Sequence, residues 1–358
     1  MKNNKNILSA ILVFTLIATG IYSCSDEFLD ETENYNIDSE NFFNSEEDYY
    51  LALVGAYDLL QASYVNVLLG EIASDNTLCG GESATDVVGF QQIDDMGHTE
   101  VNSNLRDIWS WMFAGVSRTN YFLENQNKTA FDGRDAMVAE ARFLRAYYHF
   151  ELVKWFGGIP IKNYEAALEG AGERFVPGDE LVIARSSSAQ VYALIESDLT
   201  YAVNNLEYTA PQVGRVTKGA AEALLGKAYL YQNKFTEAAT VLDNVINNGP
   251  YDLALDYATI FESGGENNVE SVFEVQYTDA EGAGFGCLQC SEGNIAVGFN
   301  GIRNYSGPTF DSGYSFNVPT QEAVDAFETG DSRKDVSILD IEAWATTTQA
   351  TFGVGYEH

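Results

Sequence analysis

The strongest apolar pattern in the chain lies within Glu140–Pro160, which reads EARFLRAYYHFELVKWFGGIP. Apolar residues recur there at helical spacing in two neighbouring stripes, so the pattern predicts a helix that is buried on more than one side. Gly157, Gly158 and Pro160 predict its end. The polar line of this helix consists of Arg142, Arg145 and His149. We therefore expect the central helix of an all-helical layer.

Other helix starts are marked by capping residues. Ser45 with Asp48, and Ser187 with Gln190, have the spacing of capping boxes, and Thr217 is a further N-cap candidate. A stripe that includes Leu105, Ile108, Met112, Val116 and Leu123 predicts another helix before the central one. Residues Ser74 to Asn76 and Gly80 to Gly97 are polar and rich in Gly, Asp and Ser, which predicts loops.

One segment has the spacing of a tetratricopeptide unit, a pair of packed helices. The matching positions are Leu225, Gly226, Tyr229, Phe235, Ala238, Leu242 and Pro250. Glu222 stands where the repeat usually has Trp, so the match is partial. A solenoid needs neighbouring units to cover its faces, and we therefore expect the other helix pairs to be degenerate units.

Beyond Phe261 the composition shifts to Gly, Asn, Ser and Tyr. Phe273, Val275 and Tyr277 alternate with polar residues, which predicts a short strand. Residues 278–317 read as an extended loop region, and loops on a rigid scaffold commonly carry binding residues. Pro319 and Thr320 predict the start of a short helix through Phe327, which Gly330 ends.

The first residues have the pattern of a targeting segment. Two lysines precede an apolar stretch, Ile7–Ala18, that is too short to span a bilayer. Ile21-Tyr22-Ser23-Cys24 follows and resembles a bacterial lipoprotein cleavage site. We expect a signal peptide over 1–23, lipid attachment at Cys24, an acidic tether over 24–44, a helical body over 45–260 and a loop-rich region over 261–358.

Charge and composition narrow the choice of ligand. The 358 residues include 53 Asp and Glu against 19 Lys and Arg, a net charge of −34. A surface this acidic repels phosphate backbones, so we expect no nucleic-acid partner. Neutral sugars do not respond to net charge, and the 13% content of aromatic residues offers rings that can stack on them.

Candidate catalytic and metal-binding groups are few. The three histidines are His98, His149 and His358, and we expect His149 to be structural. A single Cys-x-x-Cys at Cys287 and Cys290 lacks the two further ligands of a zinc site, and either cysteine is a candidate disulfide partner for Cys79. Acid pairs such as Asp94-Asp95 arise by chance in a chain this acidic. We expect no enzyme activity, metal or other cofactor.

The segment EARFLRAYYHFELVKWFGGIPI resembles the SusD/RagB family of Bacteroidetes surface lipoproteins, which bind nutrients, mostly glycans, for an outer-membrane transporter. Gly55–Asp58, Asp75-Asn76, Val269–Tyr277 and Asp331–Arg333 are similar to further parts of that family. The resemblance implies a mainly α fold, an α/α superhelix of degenerate tetratricopeptide-type pairs with a loop-rich region carrying short strands. Family members continue beyond the equivalent of His358, so we expect an incomplete C-terminal region.

The resemblance also implies a function. We expect a surface-exposed outer-membrane lipoprotein that captures an oligosaccharide or polysaccharide and delivers it to a SusC-like TonB-dependent barrel transporter. Candidate sugar contacts are Asp75 as acceptor, Arg303 as donor, and Tyr305 and Tyr314 as stacking rings. The alternatives are a tetratricopeptide adaptor for a peptide or protein and a carbohydrate-active hydrolase.

Overall fold

The structure is a computed structural model that describes residues 42–161, 183–278, 288–289, 293 and 295–353. The chain divides into two compact units, Met1–Asn44 and Ser45–His358. In the first unit, the described part contains the Phe42 and Phe43 rings, whose centroids lie 4.8 Å apart. The expected lipid attachment at Cys24, the Cys287 and Cys290 pair and His358 lie outside the described residues. The account below concerns the second unit.

The described part of the second unit is mainly helical. The helices of the body are α1 (Glu46–Tyr57), α2 (Ser63–Ile72), α3 (Val88–Asp94), α4 (Ser103–Glu124), α5 (Arg134–Phe156), α6 (Ser188–Asn205), α7 (Lys218–Tyr231) and α8 (Phe235–Asn248). Shorter helices follow: α9 (Ala296–Asn300), α10 (Gln321–Asp325), α11 (Lys334–Ser337) and α12 (Ile341–Thr348). Single 3-10 turns lie at Asp58–Ala62, Tyr257–Phe261 and Ser263–Gly265.

The predicted helix caps are confirmed. The Ser45 hydroxyl accepts from the Asp48 N–H at 3.3 Å, and the Asp48 carboxylate accepts from the Ser45 N–H at 2.9 Å. Ser187 and Gln190 form the same reciprocal box at the start of α6. The Thr217 hydroxyl accepts from the N–H of Ala220 at the start of α7. Each pair satisfies donors that a helix N-terminus leaves without intrahelical partners.

Helix α5 is the central helix, as its apolar pattern predicts. It packs against α1, α4, α6 and α7, and most of its residues from Val138 to Val153 are buried. It ends at Gly157, whose φ of 66° lies in the left-handed region that favours glycine. Arg145 and His149, from the polar line, are completely buried and face other helices rather than solvent.

The helical run Glu46–Ile72 is the one described stretch that is long and apolar enough to cross a membrane. Half of its apolar window is buried inside the fold, as in the core helix of a protein that does not span a bilayer. Length and composition alone therefore do not identify it as a membrane span.

Helices α7 and α8 form the predicted tetratricopeptide-like pair. Gly226 lets them approach closely, because a Cβ at that position would lie 2.5 Å from the Leu242 side chain. Glu222, which replaces the repeat's Trp, is buried and accepts a hydrogen bond from the Tyr208 hydroxyl at 2.9 Å. The loop before α7 thus supplies the polar partner that this substitution requires.

A buried ion pair attaches that same loop to the body. Arg215 donates to both carboxylate oxygens of Glu140 on α5, at 2.5 and 2.7 Å. The Tyr57 hydroxyl also donates to Glu140 and accepts from the Val216 N–H at 3.0 Å. Burial, and secondly the negative charge of Glu140, raise the pKa of Tyr57 well above its usual value.

Three local predictions differ from the structure. The predicted loop Gly80 to Gly97 contains α3, because Phe90 and Ile93 gain buried positions there. Residues 273–277 form no strand, since Phe273 and Tyr277 pack on helix side chains instead of pairing with a second strand. The helix capped by Thr320 ends at Asp325 rather than Phe327.

The C-terminal loops pack on the α2 and α3 side of the helical body. A two-residue strand, Thr77–Leu78, pairs antiparallel with Val318–Pro319, a pairing that the sequence pattern does not indicate. Phe299 on α9 is buried, with its ring centroid 6.1 Å from Tyr64 and 6.0 Å from Phe90. These contacts position the loops that carry the candidate site.

Candidate functional site

The centre of the candidate site is Arg303, which the loops hold almost completely buried. Its guanidinium lies 3.0 Å from a Glu82 carboxylate oxygen and 3.3 Å from one of Asp86. It also donates to the Tyr314 carbonyl at 2.7 Å. The Arg303 N–H donates to the Ser315 hydroxyl at 2.9 Å. Arg303 therefore joins the loop before α3 to the segment before the second strand.

The Arg303 guanidinium has one hydrogen-bond donor that is not used by any described residue. Its Nε is buried and has no hydrogen-bond partner among the described residues. The charged group also lies 5.9 Å from the centroid of the Phe316 ring, within the range of a cation–π contact. Burial of an unsatisfied donor is costly, so this position marks a strained clamp.

Backbone strain is concentrated around Arg303. Val87, Asn304, Thr309 and Ser315 all have φ between 48° and 84°, the left-handed region that side chains other than glycine rarely adopt. Val87 and Thr309 are β-branched, which makes their conformations the most unfavourable of the four. Such residues persist only where surrounding contacts impose the conformation, and they cluster at ligand clamps and active sites.

An aromatic shelf formed by Tyr305, Phe310 and Trp344 lies beside this clamp. The Phe310 ring centroid is 5.7 Å from that of Tyr305 and 5.2 Å from that of Trp344. The Trp344 indole N–H donates to the Tyr305 hydroxyl at 3.1 Å, and that hydroxyl donates to the Pro308 carbonyl at 2.5 Å. Phe310 is 39% exposed and Trp344 is half-buried, so the shelf presents ring surface to solvent.

Asp75 lies at a separate cleft. This open cleft of about 620 Å³ is lined by Ser74, Asp75, Thr77, Leu78, Asp94, Asp95, Thr320 and Glu322. The Thr320 hydroxyl donates to the Asp75 carbonyl at 2.9 Å, which fixes the Asp75 backbone beside the small sheet. The Asp94 carboxylate accepts from the Cys79 N–H at 3.1 Å. Four of the lining residues are acids, which gives the cleft a negative charge.

The structure thus brings together three of the four predicted sugar contacts. Arg303, Tyr305 and Tyr314 belong to one loop system, whereas Asp75 lines the neighbouring cleft. Tyr314 is 36% exposed, as a stacking ring requires. Tyr305 is only 5% exposed, so its ring supports the shelf and has no open face for a sugar.

Sequence reasoning missed Phe310 and Trp344. Phe310 lies inside the predicted loop region, and the sequence offers no periodicity that separates an exposed ring from a buried one. Trp344 is on α12, and only its hydrogen bond to Tyr305 in three dimensions reveals that it joins the shelf. Sequence reasoning also missed Glu82 and Asp86, because only their contacts with Arg303 in three dimensions place them at the site.

Two other candidate groups, His149 and Cys79, are buried in the fold. His149 is buried, and its ring Nδ1 lies 2.8 Å from the Arg145 carbonyl, so the expectation of a structural role agrees with its placement. Cys79 is buried and forms no disulfide within the described residues, and burial, followed by the charge of Asp94, raises its pKa to about 12. Among the described residues, no group of three or more His, Cys, Asp or Glu side chains is arranged to hold a metal ion.

Comparisons with known proteins identify the family. A family model described as "Starch-binding associating with outer membrane", SusD-like, matches residues 27–230, more than half of the chain. The chain belongs to the SusD/RagB family. The family resemblance that the central helix indicated is therefore confirmed.

SusD-like relatives in curated collections have about a quarter of their residues in common with this chain. SusD-like protein P25 of Formosa agariphila is 24% identical over 288 residues, covering 75% of this chain and 51% of the relative. A SusD-like protein of Bacteroides ovatus is 25% identical over 287 residues, with coverages of 75% and 50%. The chain thus spans about half the length of these two relatives.

Solved structures of the family have the same fold. A laminarin-binding SusD-like protein is 30% identical with a TM-score of 0.78, covering 87% of this chain and 70% of that structure. Surface glycan-binding protein A from Bacteroides fluxus is 26% identical with a TM-score of 0.75, and the coverages are 87% and 66%. The predicted mainly α, SusD-like architecture is confirmed, with a small sheet.

Proposed function

We propose that this protein binds a glycan at the surface formed by the aromatic shelf and the Arg303 clamp. The observation that carries the proposal is the shelf of Tyr305, Phe310 and Trp344 on the loops of a SusD-family fold. The relatives named above, a laminarin-binding protein and a surface glycan-binding protein, support a sugar as the ligand class.

The side chains have distinct proposed roles. The exposed faces of Phe310, Trp344 and Tyr314 stack on the apolar faces of sugar rings. This contact requires no charge on the ligand. Tyr305 holds Trp344 through the hydrogen bond between them. Arg303, whose side chain is 10% exposed, holds the loops and donates from its exposed part to a hydroxyl, while Asp75 accepts from hydroxyls of a longer glycan that reaches the cleft.

We further propose that the protein is a lipoprotein of the outer membrane, anchored through Cys24, which delivers its glycan to a SusC-like TonB-dependent transporter. The description of the matching family model, which places starch binding at the outer membrane, supports this location. Weak capture is sufficient for such a receptor, because a partner on the same membrane experiences a high local concentration of the captured ligand.

Binding occurs without turnover in this proposal. The carboxylates that line the cleft belong to an acidic surface, and glycosidases require two carboxylates that flank the same bond. Asp94 and Asp95 are neighbours in the chain, and an Asp94 oxygen is occupied by the Cys79 N–H. The names of the relatives describe binding rather than catalysis.

A glycan panel with calorimetric titration tests the function. We expect at least one neutral oligosaccharide or polysaccharide to bind with a Kd on the order of micromolar to millimolar, with no shorter products after long incubation. Trp344→Ala and Tyr314→Ala should each weaken binding about tenfold or more, since one stacked ring contributes about 1–3 kcal/mol in analogous contacts.

The matched control is Phe235→Ala, which removes a 63% exposed ring from α8 and should leave affinity unchanged. Near-native circular dichroism and melting temperature of every variant establish that the fold is intact. Released sugars that depend on one carboxylate would favour a hydrolase. Tight binding of a peptide, together with no glycan binding, would favour a tetratricopeptide adaptor.

A further inference from the structure

Charge is distributed very unevenly around the candidate site. Residues 71–100 contain seven Asp and Glu and no Lys or Arg, while residues 295–330 contain four Asp and Glu and one Arg. Both segments meet at the site, through the small sheet and through the hydrogen bond from the Gly81 N–H to the Ser315 carbonyl. A ligand therefore approaches a surface on which negative charges far outnumber positive ones.

The one arginine in these segments is already neutralised. Arg303 lies between the carboxylates of Glu82 and Asp86, and its side chain is only 10% exposed. The Asp86 carboxylate is itself held in place, because it accepts from the Glu82 N–H at 2.9 Å. A uronate or sulfate group on a sugar would have to displace one of these carboxylates to reach the guanidinium.

The aromatic shelf does not supply a compensating positive charge. Its contacts are ring to ring and ring to hydroxyl, and Asp311 follows Phe310 directly in the chain. Stacking on rings selects for apolar faces of a sugar and is indifferent to whether the sugar is charged. The surrounding carboxylates, in contrast, repel an anionic sugar at distances up to about a Debye length, ~10 Å at 0.1 M salt.

We infer that the site selects uncharged glycans and rejects glycans that carry uronate or sulfate groups, with the Glu82–Arg303–Asp86 cluster as the selective element. This inference rests on the proposed glycan-binding function and adds the charge class of the ligand to it. The cluster acts by withholding the charge of Arg303 from the ligand, because both carboxylates lie against its terminal nitrogens.

The experiment compares a neutral glycan with a derivative of it that carries carboxylate groups. The neutral glycan with the highest affinity in the panel, with laminarin as the first probe, is titrated beside its carboxymethylated derivative. At about 0.1 M salt the anionic form should bind at least about tenfold more weakly, and the difference should shrink at about 1 M salt, where the Debye length falls to ~3 Å.

Two variants then test the cluster. Glu82→Gln changes a largely exposed side chain, and Glu82→Gln with Asp86→Asn leaves the Arg303 charge without a counter-charge. Affinity for the carboxymethylated glycan should rise several-fold in the first variant and further in the second. The rise is measured relative to the affinity for the neutral glycan, because Glu82 and Asp86 also hold Arg303 in place.

A matched control removes two negative charges elsewhere. Glu237→Gln with Asp243→Asn lies on α8, which packs against α7, and both side chains are exposed. This variant should leave the ratio of the two affinities unchanged. If it narrows the ratio as much as the cluster variant does, net charge rather than the Glu82–Arg303–Asp86 cluster sets the selectivity, and the inference is wrong.

Failure of the inference and failure of the function give different results. Equal affinity of the wild-type protein for the neutral and anionic forms would overturn charge selection and leave glycan binding in place. Preference for the anionic form would overturn it as well. If no glycan in the panel binds, the proposed function fails, and the charge selection fails with it.

Discussion

Arg145 is the largest side chain that is completely buried in the described fold, and Asp198 on α6 meets its charge. Its Nε and a terminal nitrogen each donate to a different Asp198 oxygen at 2.7 Å, a bidentate geometry, and Arg142 adds a third contact at 3.3 Å. The remaining terminal nitrogen donates to the Asn120 side chain on α4 at 3.2 Å. One arginine on the central helix thus joins three helices.

Breaking this pair should be strongly destabilising. Asp198→Asn removes the buried negative charge that accepts both bidentate hydrogen bonds from Arg145, and we expect the free energy of unfolding to fall by about 3–5 kcal/mol. Chemical denaturation measures the loss. Asp107→Asn, which removes the partner of the exposed Arg106, should cost about 0–1 kcal/mol.

An apolar replacement of both residues distinguishes the contribution of the ion pair to stability from the contribution of packing. The double variant Arg145→Met with Asp198→Leu should recover most of the lost stability, because well-packed apolar residues often replace a buried pair at little cost. A double variant as unstable as Asp198→Asn would instead show that the hydrogen bond to Asn120 or the shape of the arginine is essential.

His149 makes stability depend on pH. Burial, followed by the positive charge of Arg145, lowers its pKa to about 4, whereas a histidine in the unfolded chain titrates near 6.5. The unfolded state therefore binds the extra proton between these values. The contribution of neutral His149 to the free energy of unfolding is fully present above about pH 6.5. It falls by about 1.4 kcal/mol per pH unit as the pH decreases to about 4.

A difference measurement isolates this residue from the many carboxylates. His149→Gln keeps a donor for the Arg145 carbonyl, and its stability should fall less steeply than that of the wild type between about pH 6.5 and 4. His98→Gln, at an exposed position, should follow the wild-type curve. Parallel curves for His149→Gln and wild type would contradict the lowered pKa.

At the scale of elements, the packing of α4 on α5 depends on Gly115. A Cβ there would lie 2.5 Å from the Tyr148 ring, and that ring is buried and fixed by a hydrogen bond from its hydroxyl to the Ala56 carbonyl at 2.6 Å. The contact between these two long helices thus requires the smallest residue at this position.

Gly115→Ala should therefore destabilise the protein, although alanine is the better helix former. We expect a net loss of about 1–3 kcal/mol from overpacking, measured as a lower midpoint in urea. Gly70→Ala on α2 is the matched control, since a Cβ there meets nothing within 4 Å, and it should stabilise by about 0.4–1 kcal/mol. A stabilised Gly115→Ala variant would show that Tyr148 moves freely.

The sequence was a good guide to elements that depend on local signals. Capping residues at Ser45, Ser187 and Thr217 and the apolar stripes of α4 and α5 predict those helices, because caps and periodicity are properties of neighbouring residues. Helix α3 was missed because its seven residues lie among loop-forming residues and owe their conformation to the burial of Phe90 and Ile93.

The candidate site was less predictable for the same physical reason. Its geometry depends on pairs far apart in the chain, such as Arg303 with Glu82 and Trp344 with Tyr305. Alternating apolar residues at 273–277 favour a strand locally, but packing of Phe273 on Phe143 replaces strand pairing. Chemical type identified Arg303 and Tyr314 as candidates, whereas only tertiary contacts reveal which rings are exposed.

At the scale of the whole molecule, a net charge of −34 and a helical scaffold have separate consequences. The charge keeps the surface hydrated and repels anionic partners. The scaffold places the C-terminal loops on the α2 and α3 side, where Phe299 and the small sheet hold them. The proposed role at the outer membrane also requires an anchor.

The proposed anchor at Cys24 leads to the last prediction. In this proposal, lipid chains on Cys24 hold the protein at the membrane, and more than one chain is needed for stable attachment because each buried CH₂ contributes only about 0.8 kcal/mol. Cys24→Ala should shift the protein out of the outer-membrane fraction and abolish labelling by an alkyne-tagged palmitate. Cys79→Ala is the matched control, because that thiol is buried in the fold and should not carry a lipid. A Cys24→Ala protein that still sediments with outer membranes and still takes up the label would overturn the lipoprotein proposal, while glycan binding by the purified protein would remain unaffected.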